Sequence, residues 1–240
     1  MKNLIQVFED TKSISQQLPN KTLTHKFKFD DIIKVYEKSN GDNIIVENID
    51  SVSAVVKYSK LGKSCVLNMA SPKRPGGGVA NGARAQEECL FRCSNLCDVI
   101  TTEHYPLDKT ECLYTPRSIF FKDSNYDIMD SIESDVMTIA AFNLSNEIVT
   151  DSYIEDTKNK IRLMCSIPSK SNVKNLILGA WGCGVFNNDP ITISTLFKQV
   201  LIDEGYATLY NKVIFAIIND HNSVGNNYSI FKGMFNETIA

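Results

Sequence analysis

The sequence predicts an α/β fold of three layers, with a mixed β-sheet between two layers of helices. Three observations lead there. Strand and helix candidates alternate from Ile44 onward, which implies a parallel or mixed sheet covered on both faces. The 240 residues are 43% hydrophobic and 22% charged, enough for one large domain with a proper core. Two glycine-rich loops directly follow strand candidates, where open α/β sheets bind ligands.

The elements follow in order. Leu4, Ile5, Val7, Phe8, Ile14 and Leu18 form the stripe of one amphipathic helix in a polar segment. Residues 1–42 are therefore expected as an N-terminal helical extension, and 43–240 as the main domain. Asn40-Gly41-Asp42 signals a turn before the β-branched run Ile44–Val46. Asp50–Leu61 has helical spacing through Val52, Val55, Val56 and Leu61, and Gly62 ends it. Ser64–Met69 reads as a buried strand, Ala70–Ala83 as loop, and Ala85 to about Thr101 as one helix. After an irregular stretch from Glu103 to Arg117 come strands at Ser118–Lys122 and Asp135–Phe142. A helix (Ser152–Cys165), a strand (Lys174–Ala180), a helix (Pro190–Asp203) and a strand (Lys212–Asn219) complete the alternation, with a short helix at Tyr228–Phe235.

Charge and composition exclude several functions. Twenty-five Lys and Arg against 28 Asp and Glu give a net charge of -3, which rules out a broad cationic surface for duplex binding. No apolar run approaches the ~20 residues that cross a bilayer, so no membrane partner is expected. Met1–Asp10 lacks a basic segment followed by an apolar one, the mark of a secretory signal. The seven Cys are scattered and odd in number, so reduced thiols in cytoplasm or nucleus are expected.

The chemistry concentrates in Asn68-Met69-Ala70-Ser71-Pro72-Lys73-Arg74-Pro75-Gly76-Gly77-Gly78-Val79 and the following Gln86-Glu87-Glu88. Consecutive glycines cost backbone entropy, and they make sense where main-chain amides must approach a ligand closely. The bland alternative is a flexible surface loop. Two carboxylates in the first turn of a helix suit its dipole, so a purely stabilising role is the corresponding alternative for Glu87 and Glu88. Adjacent helical residues project ~100° apart, so the pair is not expected to face one point. One carboxyl would enter the glycine loop to transfer a proton, and the other would lie beside it and hold a hydroxyl. A helix N-terminus favours the ionised form, whereas a general acid needs its proton retained by burial or ligand. The second loop, Gly179-Ala180-Trp181-Gly182-Cys183-Gly184-Val185-Phe186, again suits a backbone cradle for phosphate. Phe186 either packs on a ribose or base or belongs to the core.

Three glycines, seven residues, then Gln-Glu-Glu resembles the signature of the poly(ADP-ribose) glycohydrolases. The flanks, Asn68–Arg92 and Leu178–Asn188, are similar to the short bacterial-type branch, a macrodomain, and the likeness runs through Phe215-Ala216-Ile217. The resemblance implies a three-layer macrodomain that cleaves ribose–ribose O-glycosidic bonds, from chain ends, and releases ADP-ribose. It implies Glu88 as acid/base and Glu87 as holder of the adjoining ribose hydroxyl. Asn68, Gly76, Gly77, Gly78, Val79 and Gln86 would line the sugar and pyrophosphate. Gly182, Cys183, Gly184, Val185 and Phe186 would take the pyrophosphate and terminal ribose, and Asp50 the adenine amino group. No metal and no cofactor are implied; the partners are ADP-ribose polymers or ADP-ribosylated protein, met by a monomer. Two positions depart from the family pattern, Ser71 in place of Asn and Phe142 in place of Pro.

Other readings carry less. A hydrolase of single ADP-ribose units and a non-catalytic ADP-ribose reader are the alternatives, and both glutamates speak against the reader. A Rossmann oxidoreductase would need spaced, not consecutive, glycines. Cys89, Cys93 and Cys97 on one helix would span ~12 Å and could not converge on one ion, so they read as a core stripe. Cys183 reads as a small residue backing its loop, since no downstream Arg completes a phosphatase-type loop. His25, His104 and His221 fit no metal-ligand spacing, and His221 reads as a solvated loop residue. Lys73 and Arg74 are either surface cations or attractors of a polyanion, and Trp181 either a stacking face or a packing plug.

Overall fold

The computed structural model describes residues 2–19, 22–145, 150–218 and 226–236. His221 and the end of the expected strand at Asn219 lie outside these described residues. Seven strands form one sheet: β1 (His25–Lys28), β2 (Ile44–Glu47), β3 (Ser64–Met69), β4 (Glu111–Lys122), β5 (Ile128–Ile139), β6 (Asn175–Leu178) and β7 (Lys212–Ala216). Their order is β1-β4-β5-β3-β6-β7-β2. The pairs from β5 through β3, β6 and β7 to β2 are parallel, while β4 runs antiparallel to both β5 and β1. The helices are α1 (Leu4–Ser15), α2 (Ser51–Tyr58), α3 (Gln86–Cys93), α4 (Leu96–Val99), α5 (Tyr153–Ser169), α6 (Pro190–Lys198) and α7 (Asn227–Asn236). The mixed sheet lies between two helical layers, as the alternation of strands and helices predicts.

Strand periodicity divides the core into its two layers. Leu67, Met137, Leu176, Leu178, Val213 and Phe215 pack on one face with Ile161, Met164, Phe197 and Phe231 of α5, α6 and α7. Val66, Val136, Ile177 and Ile214 pack on the other with Val52, Val55, Leu90 and Phe91 of α2 and α3. Both faces are covered, so β3, β6 and β7 carry apolar residues toward both, apart from Ser64, Asn68, Asn175 and Lys212, and read plainly from sequence.

The structure differs from the sequence reading at four places. Strand β1 inside residues 1–42 pairs with β4, so this segment contributes an edge strand as well as helix α1. Strand β4 begins at Glu111, inside the stretch read as irregular, and β5 begins at Ile128 and ends at Ile139, short of Phe142. The first half of β5 is solvated and polar, which hides its strand character. The helix expected from Ala85 to Thr101 is broken, because Ser94 is extended (φ -143°, ψ 177°) and bridges Phe120 of β4. Cys97 is thereby carried onto α4, off the stripe shared by Cys89 and Cys93. Finally, the buried face of α1 is Val7, Phe8, Thr11 and Ser15. Ile5, expected in the apolar stripe, is 47% exposed.

Candidate active site

A cleft of about 530 Å³ opens at the carboxyl ends of the parallel strands, between the loop after β3 and the loop after β6. Strand β3 ends at Met69, and the loop from Ala70 to Ala85 returns to the first turn of α3, where Glu87 and Glu88 follow Gln86. Gln86 fixes that start. Its Oε1 accepts from the Met69 amide at 2.9 Å, and its Nε2 donates to Leu67 O at 2.6 Å and Ser51 Oγ at 3.1 Å. This side chain lines the cleft but is fully engaged with the protein, and it ties α3 to β3 and to the start of α2.

The two carboxylates converge, contrary to the expectation that only one enters the loop. A Cβ built on Gly77 would lie 2.6 Å from Glu88 Oε1 and 3.1 Å from Glu87 Oε2. The loop bends around the helix start, so each carboxylate meets a different glycine amide. Gly76 N–H donates to Glu87 Oε1 at 3.1 Å, and Gly78 N–H to Glu88 Oε1 at 2.8 Å. Gly76 and Gly77 make the bend at φ 67° and 53°, a region that disfavours any side chain. Glu87 also accepts from the Ser71 amide at 2.7 Å and from Asn68 Nδ2 at 3.4 Å. Burial pushes the Glu87 carboxyl up to about 8 against the pull of these donors, and the neighbouring Glu88 adds to the rise. Glu88 is 6% exposed and lines the cleft, yet its Oε2 has no hydrogen-bond partner among the described residues.

The second loop is set by Asn188. Its Nδ2 donates to Phe142 O at 2.8 Å, Gly182 O at 3.1 Å and Phe186 O at 3.2 Å, and Tyr153 OH donates to its Oδ1 at 2.9 Å. Gly182 turns at φ 79°, where a Cβ would strike Asn188 and Ala141, each at 2.8 Å. The amides of Gly182, Gly184, Val185 and Phe186 donate to no backbone acceptor among the described residues, so four N–H groups stay available along the cleft. Such a ribbon of free donors suits an anionic group.

Of the residues singled out from sequence, Asp50, Gly77, Gln86, Glu87, Glu88, Gly182, Gly184, Val185 and Phe186 line the cleft. Asn68, Gly76, Gly78, Val79 and Cys183 stand behind it. Asn68 and Cys183 are wholly buried, and Val79 packs in the core against α3. Burial pushes the Cys183 thiol up to about 12, which leaves it un-ionised and unsuited to nucleophilic attack at neutral pH. Asp50 caps α2, accepting from the Ser53 amide at 2.9 Å. Trp181 is 1% exposed with Nε1 donating to Ile139 O at 3.1 Å, the behaviour of a packing plug at the cleft wall. Lys73 and Arg74 are exposed. Among the described residues, no group of three or more His, Cys, Asp or Glu could hold a metal ion.

Several cleft residues were not foreseen. Arg84, Ser124 and Ile218 line it, beside Ser71 and Ile217, which the sequence reading names. Asn227, at the start of α7, is 4% exposed with an unpartnered Oδ1. Nothing local in the sequence marks Asn227 or Ser124, because only the fold brings them to the cleft.

The family model for the catalytic domain of microbial-type PARG matches residues 6–123. A comparison with curated proteins finds no match. Among solved structures, a poly(ADP-ribose) glycohydrolase from Thermomonospora curvata is similar, with a TM-score of 0.82 at 20% identity over 96% of this chain and 98% of that one. The same enzyme bound to the inhibitor ADP-HPD gives a TM-score of 0.80 at 21% identity, covering 95% and 97%. The Deinococcus radiodurans enzyme in complex with ADP-ribose gives 0.76 at 22% identity, covering 96% and 98%. Among the described residues, no helix is long and apolar enough to cross a membrane.

Proposed function

We infer that this chain is a microbial-type poly(ADP-ribose) glycohydrolase, which hydrolyses the ribose–ribose O-glycosidic bonds of poly(ADP-ribose) and releases ADP-ribose. The observation that carries this reading is Glu88. One of its oxygens is fixed by the Gly78 amide, and the other is buried, open to the cleft and unpartnered. A carboxyl held this way is aimed, and its free oxygen awaits a group from the substrate.

The chemistry follows from that placement. The unpaired amides of the second loop take the pyrophosphate, and the bare backbone at Gly77 lets the ribose approach the carboxylates. Glu88 Oε2 gives its proton to the leaving ribose oxygen as the bond from that oxygen to the anomeric carbon breaks. Positive charge develops on the anomeric carbon and ring oxygen. Water then adds to that carbon, and its proton returns to Glu88, which restores the starting state. Among the described residues, Glu87 Oε2 accepts only the Ser71 amide, which leaves a lone pair for a ribose hydroxyl. Proton transfer of this kind is worth about 10²–10⁴ in rate.

Burial keeps a proton on Glu87 through neutral pH, and losing it puts a negative charge beside the acid. The enzyme is therefore expected to lose kcat as pH rises through about 8, which a pH–kcat profile checks. Stability should follow the same group. The folded carboxyl of Glu87 holds its proton to higher pH than the ordinary 4.5 of a glutamate, so the folded state binds more protons and loses stability as pH climbs from about 5 to 8. Across that interval, wild-type melting temperature should fall more steeply than that of Glu87→Gln.

Incubation with protein carrying ADP-ribose polymer tests the reading. Release of free ADP-ribose supports it. Tight binding without release would instead mark a reader, and cleavage confined to single protein-linked units a mono-ADP-ribosyl hydrolase.

A further inference from the structure

Arg92 is the most deeply buried cation in the described structure, at 0% exposure, and the reaction just described makes no use of it. It lies four residues beyond Glu88 on α3 and so on the same side of the helix. Its guanidinium reaches the far arm of the glycine loop, where Nη2 donates to Ala83 O at 2.6 Å and Val79 O at 3.2 Å. Those carbonyls bracket the single turn at Val79–Asn81 and the left-handed Gly82 (φ 78°) that bring the loop back to α3. Nε donates to Leu4 O at 3.2 Å, so the same fork also holds the first turn of α1.

Helix α1 in turn covers the loop. A Cβ on Gly82 would lie 3.6 Å from Ile5 Cγ1 and 4.0 Å from Leu4 Cβ. The helix is seated by polar groups along its inner face. Thr11 Oγ1 donates to Arg92 O at 2.6 Å, and the buried Lys122 donates to Thr11 Oγ1 at 2.8 Å and Val7 O at 3.0 Å. Ser15 Oγ donates to Asp98 Oδ2 at 2.6 Å. Buried cations are costly unless hydrogen-bonded, and packing alone would be served as well by apolar residues. What a guanidinium adds is a fixed direction to each bond.

We propose that Arg92 is a positioning residue that locks the returning arm of the glycine loop to helix α3 and helix α1, making the N-terminal segment a working part of the active site. The near arm gives its Gly76 and Gly78 amides to the two glutamates. If the far arm is loose, those donors are no longer held and Glu88 loses its aim. The proposal rests on the reading of Glu88 as the acid/base, but its first consequence concerns the loop alone.

The test therefore uses two readouts on folded, full-length Arg92→Met and Arg92→Lys, the second keeping the charge but not the fork. Amide hydrogen exchange without ligand should be about tenfold faster over residues 76–83 in Arg92→Met, and unchanged in β3 and β6. On ADP-ribose polymer, kcat should fall about tenfold or more while KM stays within about threefold, because the aim of Glu88 matters in the transition state. Arg92→Lys should fall between wild type and Arg92→Met in both. Should Arg92→Met fail to fold, Arg92→Lys decides alone, with faster exchange and lower kcat expected. Wild-type exchange over the loop in either folded variant overturns the proposal, whatever the activity. Faster loop exchange with unchanged kcat also overturns it. A wild-type protein without polymer hydrolysis would instead refute the assigned function, and the exchange result would still decide the role of Arg92.

Discussion

Glu88→Gln is expected to reduce turnover of ADP-ribose polymer by about a thousandfold while leaving affinity for ADP-ribose within about threefold. The substitution is isosteric, and the amide oxygen can still accept from Gly78 N–H. The cleft-facing atom becomes an NH₂ that cannot deliver a proton to a leaving oxygen or take one from water. Product binding relies on the loop amides, which the substitution does not touch. Steady-state hydrolysis together with calorimetric titration of ADP-ribose checks both halves. Wild-type turnover in this variant would place the acid/base elsewhere, and lost affinity would mean that Glu88 binds more than it reacts.

Gly77→Ala should cost activity heavily through a single added carbon. The new Cβ would stand 2.6 Å from Glu88 Oε1 and 3.1 Å from Glu87 Oε2, at a backbone angle (φ 53°) that side chains rarely adopt. Either the carboxylates turn away or the loop shifts, and both separate the acid from the sugar. A loss of about 100-fold in kcat/KM is expected, since an ångström of misplacement costs that much. The melting temperature should drop modestly, in line with a backbone penalty of about 1–2 kcal/mol. Gly233→Ala is the control. Nothing lies within 4 Å of its added Cβ, and its helix should gain about 0.5–1 kcal/mol with activity unchanged.

The parts of this molecule that could be read from sequence are those whose physics is local. Buried parallel strands such as Ser64–Met69 and Lys212–Ala216 carry apolar residues toward both faces because both are covered. The glycine triplet and Gln-Glu-Glu declare a loop and a helix start within thirteen residues, and the structure brings them together. Three features depended on partners outside their own segment. Strand β1 is four residues of His, Lys and Phe that pair only because β4 passes alongside. The polar half of β5 is a strand by virtue of its ladder with β4, and its composition hides it. The buried face of α1 includes Thr11 and Ser15, which no hydrophobic pattern would select, because Arg92, Lys122 and Asp98 await them. Gln86 shows a subtler limit. Its place in the motif is visible, but its role as a tie between β3, α2 and α3 needs three partners from the fold. The convergence of Glu87 and Glu88 was hidden for a similar reason, since helix geometry alone separates them and the bent loop reunites them.

A crystal structure with ADP-ribose bound tests the central claim most directly, through the distance from each glutamate to the anomeric carbon of the terminal ribose. Glu88 Oε2 is expected within hydrogen-bond reach of the oxygen on that carbon, about 3 Å, with the pyrophosphate against the amides of Gly182 to Phe186. A ribose lodged against Glu87 with Glu88 out of reach, or a ligand bound away from the glycine loops, would contradict it.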